Sequence, residues 1–121
     1  MQAATTNWSV TLNDDIFQPI SYLNEAGEPY DFSQWRNFRS QIRSNPTDRQ
    51  PEGVFIAEFR DEDIIRAVNG IITFILPKDR YQPIEGTHRF DVEATNINSR
   101  IGDQTLIKGN VTFSKDVTKT S

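Results

Sequence analysis

The stretch Thr87-His88-Arg89-Phe90-Asp91-Val92-Glu93-Ala94-Thr95 decides the fold. His88, Phe90, Val92 and Ala94 fall on one side of it, and Thr87, Arg89, Asp91 and Glu93 on the other. Period two is the pattern of a strand with one buried and one wet face. The run Gln104 to Ser114 repeats it, with Ile107, Gly109, Val111 and Phe113 facing away from Lys108, Asn110, Thr112 and Ser114. Between them, Asn96 to Asp103 reads as a hairpin tip.

Working outward, the same grammar recurs. Trp8 to Leu12 alternates and is the first predicted strand; Asn13-Asp14-Asp15 breaks it. Ile16 to Leu23 follows with Pro19 inside, which confines that strand to a sheet edge or a bulge, because proline cannot donate to a ladder. Gly27 closes a turn. In Trp35 to Arg43, Phe38, Ser40 and Ile42 share one face and Arg39, Gln41 and Arg43 the other. The polar segment Ser44 to Gly53, with Pro46 and Pro51, is a loop of low internal order. Val54 to Phe59 is a fourth strand. Ile64 to Val68 and Ile71 to Leu76 flank Asn69-Gly70, a strong hairpin signal that predicts a type I′ turn. Pro77 to Pro83 has room for one short helical turn.

About eight strands separated by turn signals predict an all-β antiparallel β-sandwich with at most one short helical turn. One core and no linker imply a single domain over residues 1–121, with 1–6 a flexible lead-in and 115–121 a polar tail. Eight Phe, two Trp and three Tyr supply the core. Without cysteine there is no disulfide framework and no thiolate chemistry. The net charge of −4, with acidic and basic residues interspersed, argues against a nucleic-acid partner. No apolar run reaches the ~20 residues of a membrane helix, and residues 1–6 lack the charged and apolar regions of a secretory signal. No membrane partner is expected.

Candidate chemistry is sparse. His88, the only histidine, could act as base or ligand, but it shares a face with Phe90 and Val92 and reads as a core residue. Asp14, Asp15, Asp61, Glu62 and Asp63 could bind calcium; the run at Asp61 lacks the spacing, glycine and terminal glutamate of an EF-hand, so turn capping is the better reading. Asp91 and Glu93 form a carboxylate pair of the kind glycosidases use, yet on a wet strand face no cleft is implied. Arg36, Arg39 and Arg43 cluster on one strand, and Arg39 and Arg43 would pair with Asp91 and Glu93 if those strands were neighbours. There is no phosphate loop, nucleophile elbow or triad. The chain is read as a non-enzyme with no catalytic residues, no metal, no cofactor and no small-molecule substrate.

The ordered set of motifs carries more than any one of them. Asp31-Phe32-Ser33-Gln34-Trp35 leads to a strand ending Gln41-Ile42-Arg43. Then come Asn69-Gly70-Ile71-Ile72-Thr73-Phe74, Gly86 to Glu93, Leu106 to Phe113, and Asp116-Val117-Thr118. This pattern, over roughly residues 15 to 118, resembles small phage virion proteins of the tail and baseplate. It is similar to the N-terminal domain of phage baseplate upper proteins, which are immunoglobulin-like sandwiches that attach receptor-binding parts to the tail. Those proteins tend to have glycine where Gln34 stands and an aromatic where His88 stands, and they carry further domains.

The resemblance implies a structural role in the virion, assembled in the host cytoplasm, with other virion proteins as partners and homo-oligomeric or symmetric copies. Fibre attachment through protein–protein interaction is the expected activity. The strand near Pro19, the loop Asn45 to Gly53 and the termini are the expected contact elements. Trp8, Trp35, Arg39, Arg43, Pro46 and Tyr81 are the candidate interface residues, although a core placement is the better reading for Trp8 and Trp35. A capsid decoration or neck protein is the alternative. So is a host-glycan-binding module, which would need Trp35, Tyr30 and Tyr81 exposed in one plane.

Overall fold

The computed structural model describes residues 4–49, 51–67, 69–98 and 103–115. Among these residues eight strands form two layers: β1 (Ala4–Thr11), β2 (Ile16–Ser21), β3 (Trp35–Arg43), β4 (Phe55–Phe59), β5 (Ile64–Arg66), β6 (Ile71–Leu76), β7 (Gly86–Asn96) and β8 (Asp103–Ser114). One sheet has the order β1-β8-β7-β3-β4, the other β2-β6-β5. Lettered as immunoglobulin strands, this is A′GFCC′ packed on BED. The all-β sandwich expected from the alternation is the fold, and its strand order is the immunoglobulin-like one that the resemblance implied.

Three details differ from the expectation. β1 runs parallel to β8, so the sandwich is not wholly antiparallel. After β1 the chain crosses to the other sheet, and β1 therefore lies beside the C-terminal strand instead of its neighbour in sequence. This pairing begins at Ala4, so residues 4–6 belong to a strand rather than a lead-in; residues 1–3 and 116–121 lie outside the described residues. Among the described residues there are two short helical turns instead of at most one, both 3-10: Lys78–Arg80, where one was expected, and Asp61–Asp63. The second forms because the Asp63 carboxylate accepts the Arg60 backbone N–H at 2.9 Å and closes the turn on itself. Arg80 then grips Asp63 with two nitrogens, at 3.3 and 3.1 Å.

The hairpin at Asn69-Gly70 exists, but its loop is three residues long. Gly70 N–H bonds to Ala67 C=O and Ala67 N–H to Ile71 C=O, with Gly70 at φ 82°. This is the three-residue hairpin that needs one left-handed residue after a turn, rather than the two-residue type I′ form. A β-carbon on Gly70 would also meet the Tyr22 carbonyl at 2.7 Å.

The core lies between the layers. Phe38, Ile42, Phe90, Val92, Ala94, Ile107, Val111 and Phe113 come from the larger sheet, and Ile16, Ile64, Ile72, Phe74 and Leu76 from the smaller. At its centre Phe74 stacks on Trp8 (centroids 5.8 Å, 7° between planes) and meets Phe59 and Phe90 edge-on at 5.4 and 6.2 Å. The alternation breaks only at bulges. In β8, Leu106 and Ile107 are both buried because the register with β7 slips between Val92 and Glu93. In β3, Asn37 takes φ 54° and the register slips between Arg36 and Arg39, which turns both Trp35 and Phe38 inward.

Candidate functional site

Each sheet has an outer face, and the two differ in chemistry. On the larger sheet, register sets the rows. Glu58, Gln41, Asp91, Lys108 and Thr5 form one row; Phe55, Arg43, Arg89, Asn110 and Asn7 form the next; Arg39, Glu93 and Thr105 a third. β3 and β7 are neighbours, so the pairing foreseen for Arg39 is made: it meets Glu93 at 3.4 Å and Asp103 at 2.5 Å. Arg43 is not so placed. Register sets it opposite Arg89, and it stacks over the Phe55 ring instead, 5.4 Å from the centroid. Among the remaining acids, Asp61 accepts the Phe38 N–H at 2.9 Å and pairs with Arg66 at 3.0 Å, which are structural tasks. No group of three or more His, Asp or Glu among the described residues is placed to hold a metal ion.

Burial pushes the Asp91 carboxyl above its ordinary range, and the neighbouring Glu93 adds to the shift. A raised folded value means that the protonated form favours the fold. That contribution is complete below the unfolded value near 3.8 and is lost as pH rises through the folded one. At neutral pH the carboxylate therefore opposes folding. Asp91→Asn is expected to melt like the parent at pH 3 and above it at pH 7, with the gap opening through the carboxylate range. A pH series of thermal melts reads this, and a gap that narrowed towards pH 7 would contradict it.

The smaller sheet presents the other face. Phe17, Pro19 and Ser21 of β2, Ile71, Thr73 and Ile75 of β6, and Ile65 of β5 occupy its outward positions. Not one is charged, in a chain where a quarter of residues are. Phe17 is 68% exposed, directly opposite Ile75, and Ile65 is 51% exposed. An antiparallel sheet with one wet face should alternate polar and apolar; the outward positions of β2 and β6 are instead mostly apolar, with Ser21 and Thr73 the polar ones. Pro19 lies on the open edge of this sheet, as proline in a strand requires.

Of the six candidate interface residues, Trp8, Trp35 and Tyr81 are buried: the two tryptophans take the core placement that was the better reading for them, and Tyr81 is not the surface contact it was expected to be. Trp8 packs under Phe74, Trp35 donates its Nε1–H to the Tyr30 hydroxyl at 3.0 Å, and Tyr81 donates its hydroxyl to the Asp14 carbonyl at 2.7 Å. With Trp35 and Tyr81 enclosed and Tyr30 stacked on Tyr22 at 4.5 Å, the three do not make an exposed sugar platform. Pro46 is exposed; Arg39 and Arg43 lie on the outer face of the larger sheet.

His88 is 4% exposed, in edge-to-face contact with Phe113. Its Nε2 lies 2.6 Å from the Ile84 carbonyl, which fixes the proton on Nε2, and its Nδ1 is buried without a partner. It ties the start of β7 to the loop before it and faces no solvent-filled cleft. The uncharged face went unread because its signal is a missing one, the absence of polar alternation in Ile16-Phe17-Gln18-Pro19-Ile20 and Ile71 to Leu76. Compared with known proteins, the chain matches no family model, and no curated protein matches it significantly.

Proposed function

We propose that this chain is a structural phage virion protein of the tail or baseplate region. It acts as a protein–protein docking module for fibre or receptor-binding parts and is present in symmetric copies. In this reading it is not an enzyme and takes no cofactor. The ordered motifs support the assignment to virion proteins. The docking role rests on one observation, the uncharged outer face of the β2-β6-β5 sheet. Contiguous exposed apolar surface of this kind marks protein–protein contact in soluble domains. The immunoglobulin-like frame holds it rigid, because the inward side chains of the same strands are locked in the core.

Particles assembled in the host with an epitope-tagged copy of the chain test the reading. Gold-labelled antibody at the tail end supports it. Label over the head moves the protein to a capsid decoration or neck position, and absence from particles overturns it. Phe17→Glu places a charge at the most exposed apolar position of the face. It is expected to change folding stability by less than about 1 kcal/mol, as surface substitutions do. It should also reduce incorporation at least about tenfold, because a buried unpaired carboxylate is costly at an interface. Incorporation at the parental level would remove this face from the docking role.

A further inference from the structure

The outer face of the five-stranded sheet carries a concavity of about 560 Å³. Its lining includes three cations, Arg43, Arg89 and Lys108, and four neutral hydrogen-bonding side chains, Thr5, Gln41, Thr105 and Asn110; Asp91 is its one acid. Arg43 and Arg89 stand directly opposite each other across β3 and β7. Like charges so placed destabilise a sheet. Among the described residues, none of the three cations has a carboxylate within ion-pair distance. Both guanidiniums are nonetheless held in place by uncharged partners. Arg43 donates to the Gln41 side chain at 3.1 Å and stacks on Phe55; Arg89 donates to the Glu52 backbone carbonyl at 3.1 Å. Each keeps further N–H donors unspent, since a guanidinium has five.

We infer that this concavity binds an acidic saccharide, a sugar unit carrying a carboxylate. Arg43, Arg89 and Lys108 receive the carboxylate; Asp91, Gln41, Asn110 and Thr5 receive ring hydroxyls. Pre-ordered guanidiniums suit a planar carboxylate, which they can bind through two parallel hydrogen bonds. The volume is that of a small-molecule site, about 300–1,000 Å³. The neutral side chains beside the cations favour a polyhydroxylated ligand over an acidic peptide, whose aliphatic carbons would leave those groups unpaired. The inference is independent of the docking role, which uses the opposite layer of the sandwich.

Titration of the isotope-labelled chain with glucuronate and with galacturonate oligomers tests it, read by amide shifts at constant ionic strength. Glucose, acetate, inorganic phosphate and an oligoglutamate peptide are run beside them. Saturable shifts confined to β3, β7, β8 and the start of β1, with an acidic sugar bound more tightly than acetate and glucose, are expected. Arg89→Gln and Arg43→Gln should each weaken binding about tenfold or more, the worth of a charge-assisted hydrogen bond. Both should keep the dispersed spectrum of the parent, because each removes half of a like-charge pair. Arg36→Gln, outside the concavity, should leave binding unchanged. The inference is overturned if no acidic sugar saturates, if acetate or phosphate binds as tightly as glucuronate, or if the peptide binds best.

Discussion

Phe74→Ala is expected to destabilise the fold by about 3–5 kcal/mol, the range for emptying a buried phenylalanine site. Domains of this size have about 5–15 kcal/mol in all, so the variant should be close to unfolding at 37 °C. The position explains the size. Phe74 is fully buried and supplies the ring against which Trp8, Phe59 and Phe90 pack. Those three partners come from β1, β4 and β7 of the facing sheet, so the ring links the layers across the width of the sandwich. Removing it opens a void that rigid aromatic neighbours fill poorly. Each lost aromatic pair adds to the loss of buried area, at about 0.5–1.5 kcal/mol beyond the area alone. Urea unfolding followed by tryptophan emission measures the effect, and Trp8 is the built-in probe. Phe17→Ala is the control: same residue type, adjacent strand, opposite side of the sheet, 68% exposed. It should shift stability by no more than about 0.5 kcal/mol. Equal effects at the two positions would mean that the smaller sheet does not close over the larger through Phe74.

The contrast between these two phenylalanines also marks what could be read from the chain. Where one face is polar, alternation assigned sides correctly: Phe38, Ser40 and Ile42 inward in β3, and His88, Phe90, Val92 and Ala94 inward in β7. A one-residue slip would have exposed the whole apolar set, so the pattern fixes the register. Where both faces are mostly apolar, as in β2 and β6, periodicity is weak and the exposed side of Phe17 could not be told from the buried side of Ile16. Tryptophan identity alone does not separate core from interface, for a related reason. Trp8 and Trp35 suit a core better than an interface, but the side each faces is set by packing, and Asn37 in the left-handed region turns Trp35 inward by a bulge that no alternation count foresees. The concavity at Arg43 and Arg89 needs the β3–β7 register, a pairing between residues 46 apart that local pattern does not encode. The parallel docking of β1 on β8 joins the two ends of the chain and is equally non-local, though it left one trace in the sequence. Gly109 occupies an inward position of a strand where an apolar side chain belongs, and a glycine there signals close approach of another backbone.

That trace gives the second large effect. Gly109→Ala would place a β-carbon 1.6 Å from the Thr6 carbonyl oxygen and 2.7 Å from its carbon, and 3.2 Å from the Phe90 ring. The first two atoms are backbone and cannot rotate aside. Thr6 is the residue paired with Gly109 in the parallel ladder, so relief requires β1 to move away from β8 by more than an ångström. Ladder hydrogen bonds stretched by that amount leave the usual 2.7–3.2 Å range and weaken steeply. Among the described residues β1 is an edge strand with no second ladder partner, so only its core side chains hold it otherwise. It carries Trp8 and Val10 into the core, each worth about 1.5–3 kcal/mol or more on burial. The expected result is a strand that opens without the rest. Amides of Thr5 to Thr11 should exchange with solvent at close to unprotected rates while those of β3 and β7 remain slow, a sub-global opening of the kind seen at weakly held elements. Trp8 emission should shift to the red. Because Thr5 lines the concavity, acidic-sugar binding should weaken in this variant even though every cation is intact, whereas Arg89→Gln should lose binding with β1 still protected. Native exchange protection at Trp8 in Gly109→Ala would show that β1 can dock without the close backbone approach, and would leave the glycine at position 109 without a structural reason.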